Sequence, residues 1–106
     1  MELDISVQWR DTDNDIVSDL SLEVLRVELL DLMEIFKQKS ETAKKNDNEL
    51  DIMMLELLPY EFENLYKILN SLMKKTPDER KKFKDIYPET INKRLSIIYM
   101  NLTSAD

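Results

Sequence analysis

The chain has no glycine, no cysteine and no histidine among its 106 residues, and only three prolines. Without glycine, the usual residue for positive-φ turns, helix C-caps and phosphate-cradling loops is missing, so connections must be made by Asn, Asp, Ser, Thr and Pro. Without cysteine and histidine, disulfides, thiolate nucleophiles, imidazole bases and nearly all zinc or haem ligation are excluded. No apolar run approaches the ~18 residues of a membrane span and nothing resembles a signal peptide, so a soluble, cytoplasmic protein with no membrane partner is expected.

What is present is enough for one domain: 42% hydrophobic residues allow a single core, while 35% charged residues leave a net charge of −7. The acids are uneven. Residues 1 to 36 hold ten acids against Arg10 and Arg26, whereas residues 37 to 106 hold twelve acids against thirteen bases. An acidic balance opposes general nucleic-acid affinity, which depends on neutralising phosphates.

Leu3, Ile5, Val7 and Trp9 alternate with Asp4, Ser6 and Gln8, the period-two pattern of a half-buried strand. No second strand follows, so this segment is expected to pack as an extended arm or to pair with a copy of itself or a partner. The polar, acidic stretch from Arg10 to Asp19 reads as a linker, with Ser18, Asp19 or Ser21 as candidate helix caps. Residues 1–19 thus form an arm and linker, and residues 20–106 a helical bundle domain.

Five helices are expected in that domain. Leu22, Leu25, Leu29, Leu32 and Phe36 repeat at spacings of three and four, giving a first helix from about Leu20 to Lys44. Val24, Val27, Leu30, Met33 and Ile35 widen its stripe beyond one seam. A short second helix from about Glu49 to Leu58 is apolar nearly all round and is expected to be buried. Pro59 opens a third helix with Phe62, Leu65, Leu69 and Leu72 as its stripe. Thr76-Pro77-Asp78-Glu79 combines an N-cap, a first-turn proline and the Glu of a capping box, starting a fourth helix at Pro77. Pro88 opens the last, carrying Ile91, Leu95, Ile98 and Leu102. Met53, Met54 and Met73 are expected in the core, as are Phe83, Ile86, Tyr87 and the rings of Tyr60, Tyr66 and Tyr99.

Three patterns suggest chemistry and each is incomplete. Asp11, Asp13 and Asp15 resemble the opening of an EF-hand calcium loop, but Ile16 stands where the loop needs Gly and Leu22 where it needs Glu. Glu28, Asp31 and Glu34 suggest the magnesium site of all-helical nucleotide pyrophosphohydrolases, yet no second Glu-x-x-Asp helix faces them, so they read as an exposed acidic face. Lys74, Lys75, Arg80, Lys81, Lys82 and Lys84 form a basic cluster able to touch phosphates, but without an aromatic platform they read as a solvated helix face.

Leu58-Pro59-Tyr60-Glu61-Phe62 and Lys93-Arg94-Leu95-Ser96-Ile97-Ile98 resemble the leucine-proline opening and the later arginine-bearing helix of the helical domain of archaeal GINS replication subunits. The resemblance covers two short patches in under half the chain. It implies, as an alternative, a helical subunit of a replication complex that uses the basic cluster at 74–84.

The expectation is an all-α bundle of four to five helices with an extended N-terminal arm or short strand. It would act without a catalytic step, metal, cofactor or small-molecule substrate, through protein contacts as a small subunit, adaptor or inhibitor. Leu3, Ile5, Val7, Trp9, Val24, Val27 and Leu30 would form the surface for a partner or for a homodimer. Nucleic-acid binding through the basic cluster is the alternative, and an acidic inhibitor that imitates DNA a further one.

Overall fold

Ser18 starts the first helix: its extended backbone turns the chain, and its Oγ accepts the Ser21 amide at 3.4 Å. Helix α1 then runs Asp19–Lys45, with an acid in its first turn and Lys44 and Lys45 in its last, both favourable to the helix dipole. In this computed structural model, which describes Trp9 and residues 15–104, α1 is followed by α2 (Glu49–Glu56), α3 (Leu58–Met73), α4 (Pro77–Arg80), a 3-10 turn at Lys81–Phe83, and α5 (Tyr87–Ser104). Among the described residues four helices have eight residues or more and no strand occurs, so the fold is all-α. The expected strand at 3–9 lies outside the described residues except for Trp9, which sits in a turn of 3-10 helix.

The end of α1 shows how the chain turns without glycine. Asp47 adopts φ 51°, the left-handed conformation usually given to Gly. Its amide donates to the Lys44 carbonyl at 3.2 Å and the Asn48 amide donates to the Ala43 carbonyl at 3.0 Å, the paired bonds of a Schellman cap. Asn48 immediately serves again as the N-cap of α2: its Oδ1 accepts the Asp51 amide at 3.2 Å while its Nδ2 donates to Asp51 Oδ2 at 2.9 Å.

Pro59 has no amide hydrogen, so the helical ladder breaks between α2 and α3. Leu57 nonetheless keeps right-handed helical torsions (φ −80°, ψ −19°), and the chain passes the junction without leaving that region. At Thr76 the full capping box forms, with Thr76 Oγ1 accepting the Glu79 amide and Glu79 accepting the Thr76 amide. The Thr76 amide, and then its hydroxyl, hold the Glu79 carboxyl below the usual carboxylate range. This contribution is therefore present above the ordinary Glu pKa and is lost as the pH falls through the depressed value.

The core is one cluster. Leu22, Leu25, Leu29 and Leu32 of α1 meet Leu58, Phe62, Leu65, Leu69 and Leu72 of α3 and Ile91, Leu95, Ile98 and Leu102 of α5. α1 packs along α2 and α3, and α3 against α5. Phe36 meets Phe62 edge to face at 5.7 Å between ring centroids.

Several expectations about burial are overturned. Helix α2 is not a buried element: it buries only Asp51 and Leu55, because α1 covers one of its sides and its Leu50 and Met53 face outward. Met73, Tyr60 and Ile86 are likewise exposed, and Met54, Phe83 and Tyr87 are half-buried. Replacing Asp47 by Gly should remove the cost of a left-handed non-glycine residue and stabilise the fold by about 0.5–1 kcal/mol, read as an upward shift of the thermal midpoint. A lower midpoint would mean that the Asp47 side chain contributes more than its backbone costs.

Candidate functional site

A lone acid between core leucines organises the interior. Glu28 lies one turn after Leu25 and one turn before Leu32, so the helix directs it inward with them, and it is only 1% exposed. Its Oε2 accepts the Trp9 amide at 2.9 Å and its Oε1 accepts the Tyr99 hydroxyl at 2.6 Å. The Trp9 indole Nε1 donates to Asn92 Oδ1 at 3.0 Å. This corrects two expectations: Glu28 is not part of an exposed acidic face with Asp31 and Glu34, and Trp9 is a fully buried member of this chain's own core, unavailable to a partner. Leu3, Ile5 and Val7, expected beside it on the contact surface, lie outside the described residues, as do Asp11 and Asp13. Asp15 accepts the Val17 amide at 2.8 Å, an Asx turn leading into α1. Among the described residues no group of three acids is arranged to hold a metal ion.

The basic cluster is divided. Arg80 is buried: Nε donates to the Leu72 carbonyl at 2.8 Å, one NH1 bond reaches the Val17 carbonyl at 2.7 Å, and the same nitrogen pairs with Asp19 at 2.6 Å. It closes the end of α3 and ties it to the start of α1, so it is not a phosphate contact. Lys75 is half-buried, near Ser71 Oγ and 5.9 Å from the Phe83 ring centroid. Lys74, Lys81, Lys82 and Lys84 are exposed, with Lys81 3.6 Å from Asp78.

Apolar side chains stand open on α1 and along α2 and the start of α3. On α1, Val24 is half-buried, while Val27 and Leu30 are 42% and 46% exposed, flanked by an exposed Glu23–Arg26 pair in which the hydrogen bond to Arg26 lowers the Glu23 carboxyl below its ordinary pKa. The more exposed face was not anticipated. Leu50, Met53, Leu57 and Tyr60 are each about two-thirds exposed, and their three-four-three spacing sets them in one row along α2 and the start of α3. The buried residues of the same helices, Asp51, Leu55, Leu58 and Phe62, form a second row turned toward α1.

Beside the open row runs a cleft of about 260 Å³ between two walls, Phe36, Ser40 and Lys44 on α1 and Ile52, Glu56 and Pro59 across it. Arg94 of α5 binds Glu61 of α3 at 2.9 Å. Compared with known proteins, the chain matches no family model, no curated protein and no solved structure. No described helix is long and apolar enough to cross a membrane.

Replacing Glu28 by Ala leaves the buried Trp9 amide and Tyr99 hydroxyl without this acceptor and should cost about 3 kcal/mol in chemical denaturation, against about 1 kcal/mol for Tyr99→Phe. As the only tryptophan, Trp9 also reports the change directly, and its emission should shift to the red in Glu28→Ala. Unchanged emission with a loss below about 0.5 kcal/mol would remove Glu28 from this role.

Proposed function

We propose that the chain is a non-enzymatic protein–protein interaction module, a small subunit, adaptor or inhibitor of a larger assembly in the cytoplasm. Its main contact surface is the row Leu50, Met53, Leu57 and Tyr60, with Val27 and Leu30 of α1 as a second face. The observation that carries this reading is the exposure of four large apolar side chains, each about two-thirds open, in a single helical row. Scattered apolar residues are ordinary on a surface, but an aligned row of them is the pattern by which one helix receives another.

Covering these side chains would contribute about 1–2 kcal/mol each. That sum only offsets the lower part of the ~4–15 kcal/mol that association costs, so a stable complex also draws on the polar rim or the adjoining cleft. Met53 at the centre of the row suits such a surface, since its unbranched thioether adapts to differently shaped partners.

A second reading, nucleic-acid contact, is favoured by one observation, the exposure of Lys74, Lys81, Lys82 and Lys84 around a single turn. The burial of Arg80 and the net charge of −7 weigh against it. No mobility shift with DNA or RNA is expected at physiological salt. A robust shift lost when Lys81, Lys82 and Lys84 are changed to Glu would move the function to this cluster.

The interaction reading is tested by affinity purification from the native host together with light scattering. The wild type should bring down a stoichiometric protein or form a homodimer, and the double variant Met53→Glu/Leu57→Glu should lose that association while keeping its helical circular dichroism. A wild type that is monomeric and recovers no stoichiometric protein would show the reading to be wrong.

A further inference from the structure

The flank of the open row that borders the cleft is mainly acidic. Glu49, Glu56 and Glu63 recur every seven residues and are all exposed, so they form an acidic row along one flank of Leu50, Met53, Leu57 and Tyr60. Glu56 also lines the cleft, which puts this row on the border between cleft and apolar stripe. Glu63 is met by Lys67 at 3.3 Å, and among the described residues Glu49 and Glu56 are in no ion pair. The opposite flank holds Met54 and Glu61, the latter engaged by Arg94. The one cation on the cleft wall is Lys44, on α1.

We infer that the occupant of this row is a basic amphipathic helix of a partner protein, with apolar residues at three-four spacing and Lys or Arg on the flank that meets Glu49 and Glu56. This rests on the interaction reading above and names the partner's chemistry. The apolar row has the spacing of a coiled-coil seam, in which flanking charges choose the partner. A second copy fits poorly. Antiparallel self-pairing sets Glu49 against Glu63, whose Lys67 is already engaged, and Glu56 against Glu56, and parallel pairing sets the acidic row against Met54 and Glu61, the latter already paired with Arg94, so neither arrangement brings Glu49 and Glu56 an uncommitted cation. A partner with basic flanks satisfies the acids and uses the net charge of −7 to draw it in. The row spans eleven residues, about 15 Å, so three turns of a partner helix cover it.

The experiment uses the full chain and three synthetic helical peptides that share one Leu/Met seam and carry Lys, Gln or Glu at the flanking positions, with binding read by fluorescence anisotropy. The Lys peptide should bind in the micromolar range, at least fivefold tighter than the Gln peptide, with the Glu peptide weakest and the gap between Lys and Gln closing as salt is raised. Glu49→Gln/Glu56→Gln should bring the Lys peptide to the affinity of the Gln peptide. Met53→Glu/Leu57→Glu should weaken it at least tenfold, although the added negative charge would strengthen a merely electrostatic attraction.

Equal binding of the Lys and Gln peptides overturns the inference and leaves the interaction reading standing, since the row would then dock helices without selecting charge. Self-association of the wild type that disappears in Met53→Glu/Leu57→Glu also overturns it, in favour of a second copy. If no peptide binds, or the Lys peptide binds that variant as well as the wild type, the row is not a helix-docking surface. The interaction reading then stands or falls on its own purification experiment.

Discussion

A carboxyl group closed off from water must have its oxygens met by donors, and at Glu28 those donors come from opposite ends of the chain. One is the Trp9 amide, ahead of α1, and the other is the Tyr99 hydroxyl near the end of α5. Unlike apolar contacts, which tolerate sliding, these bonds fix distance and direction, so they hold three separate segments in one arrangement. The indole seated between α1 and Asn92 can occupy the core because its own N–H finds an acceptor there.

Two buried cations extend the same logic to helix ends. Arg80 closes the C-terminal carbonyls of α3 at Leu72 and reaches Val17 and Asp19 at the start of α1, while Lys39 donates to the Leu102 carbonyl in the last turn of α5 at 2.6 Å. Each places positive charge where a helix presents unpaired carbonyls, the favourable end of its dipole. In a chain without glycine, side-chain donors and the left-handed Asp47 together take over the work of ending helices.

The helices and their starts are legible because they depend on local chemistry: the Leu22/Leu25/Leu29/Leu32 spacing and the Thr76 capping box appear where the sequence places them, and the breaks expected at Pro59 and Pro88 fall one or two residues earlier. What was not legible depends on which side of an element its neighbours cover. Seven of the ten residues from Glu49 to Leu58 are apolar, so no polar arc marked the outward side of α2, and Leu50 and Met53 were read as core. Glu28 and Arg80 read as surface charges by their type. For Glu28 a finer signal exists, since it sits within one turn of Leu25 and Leu32.

Asn48 closes the Schellman cap of α1 and opens α2 with the same residue, so the connection between the two helices contains no spare length. The angular phase of α2 is therefore geared to that of α1. One inserted or deleted residue at this joint would break one of the two caps or rotate α2 by about 100°, carrying Leu55 out of the core and turning Leu50 and Met53 away from their outward position. The joint is thus intolerant of changes in length while its neighbours tolerate changes in side chain, and drift in the outward row is confined to substitution.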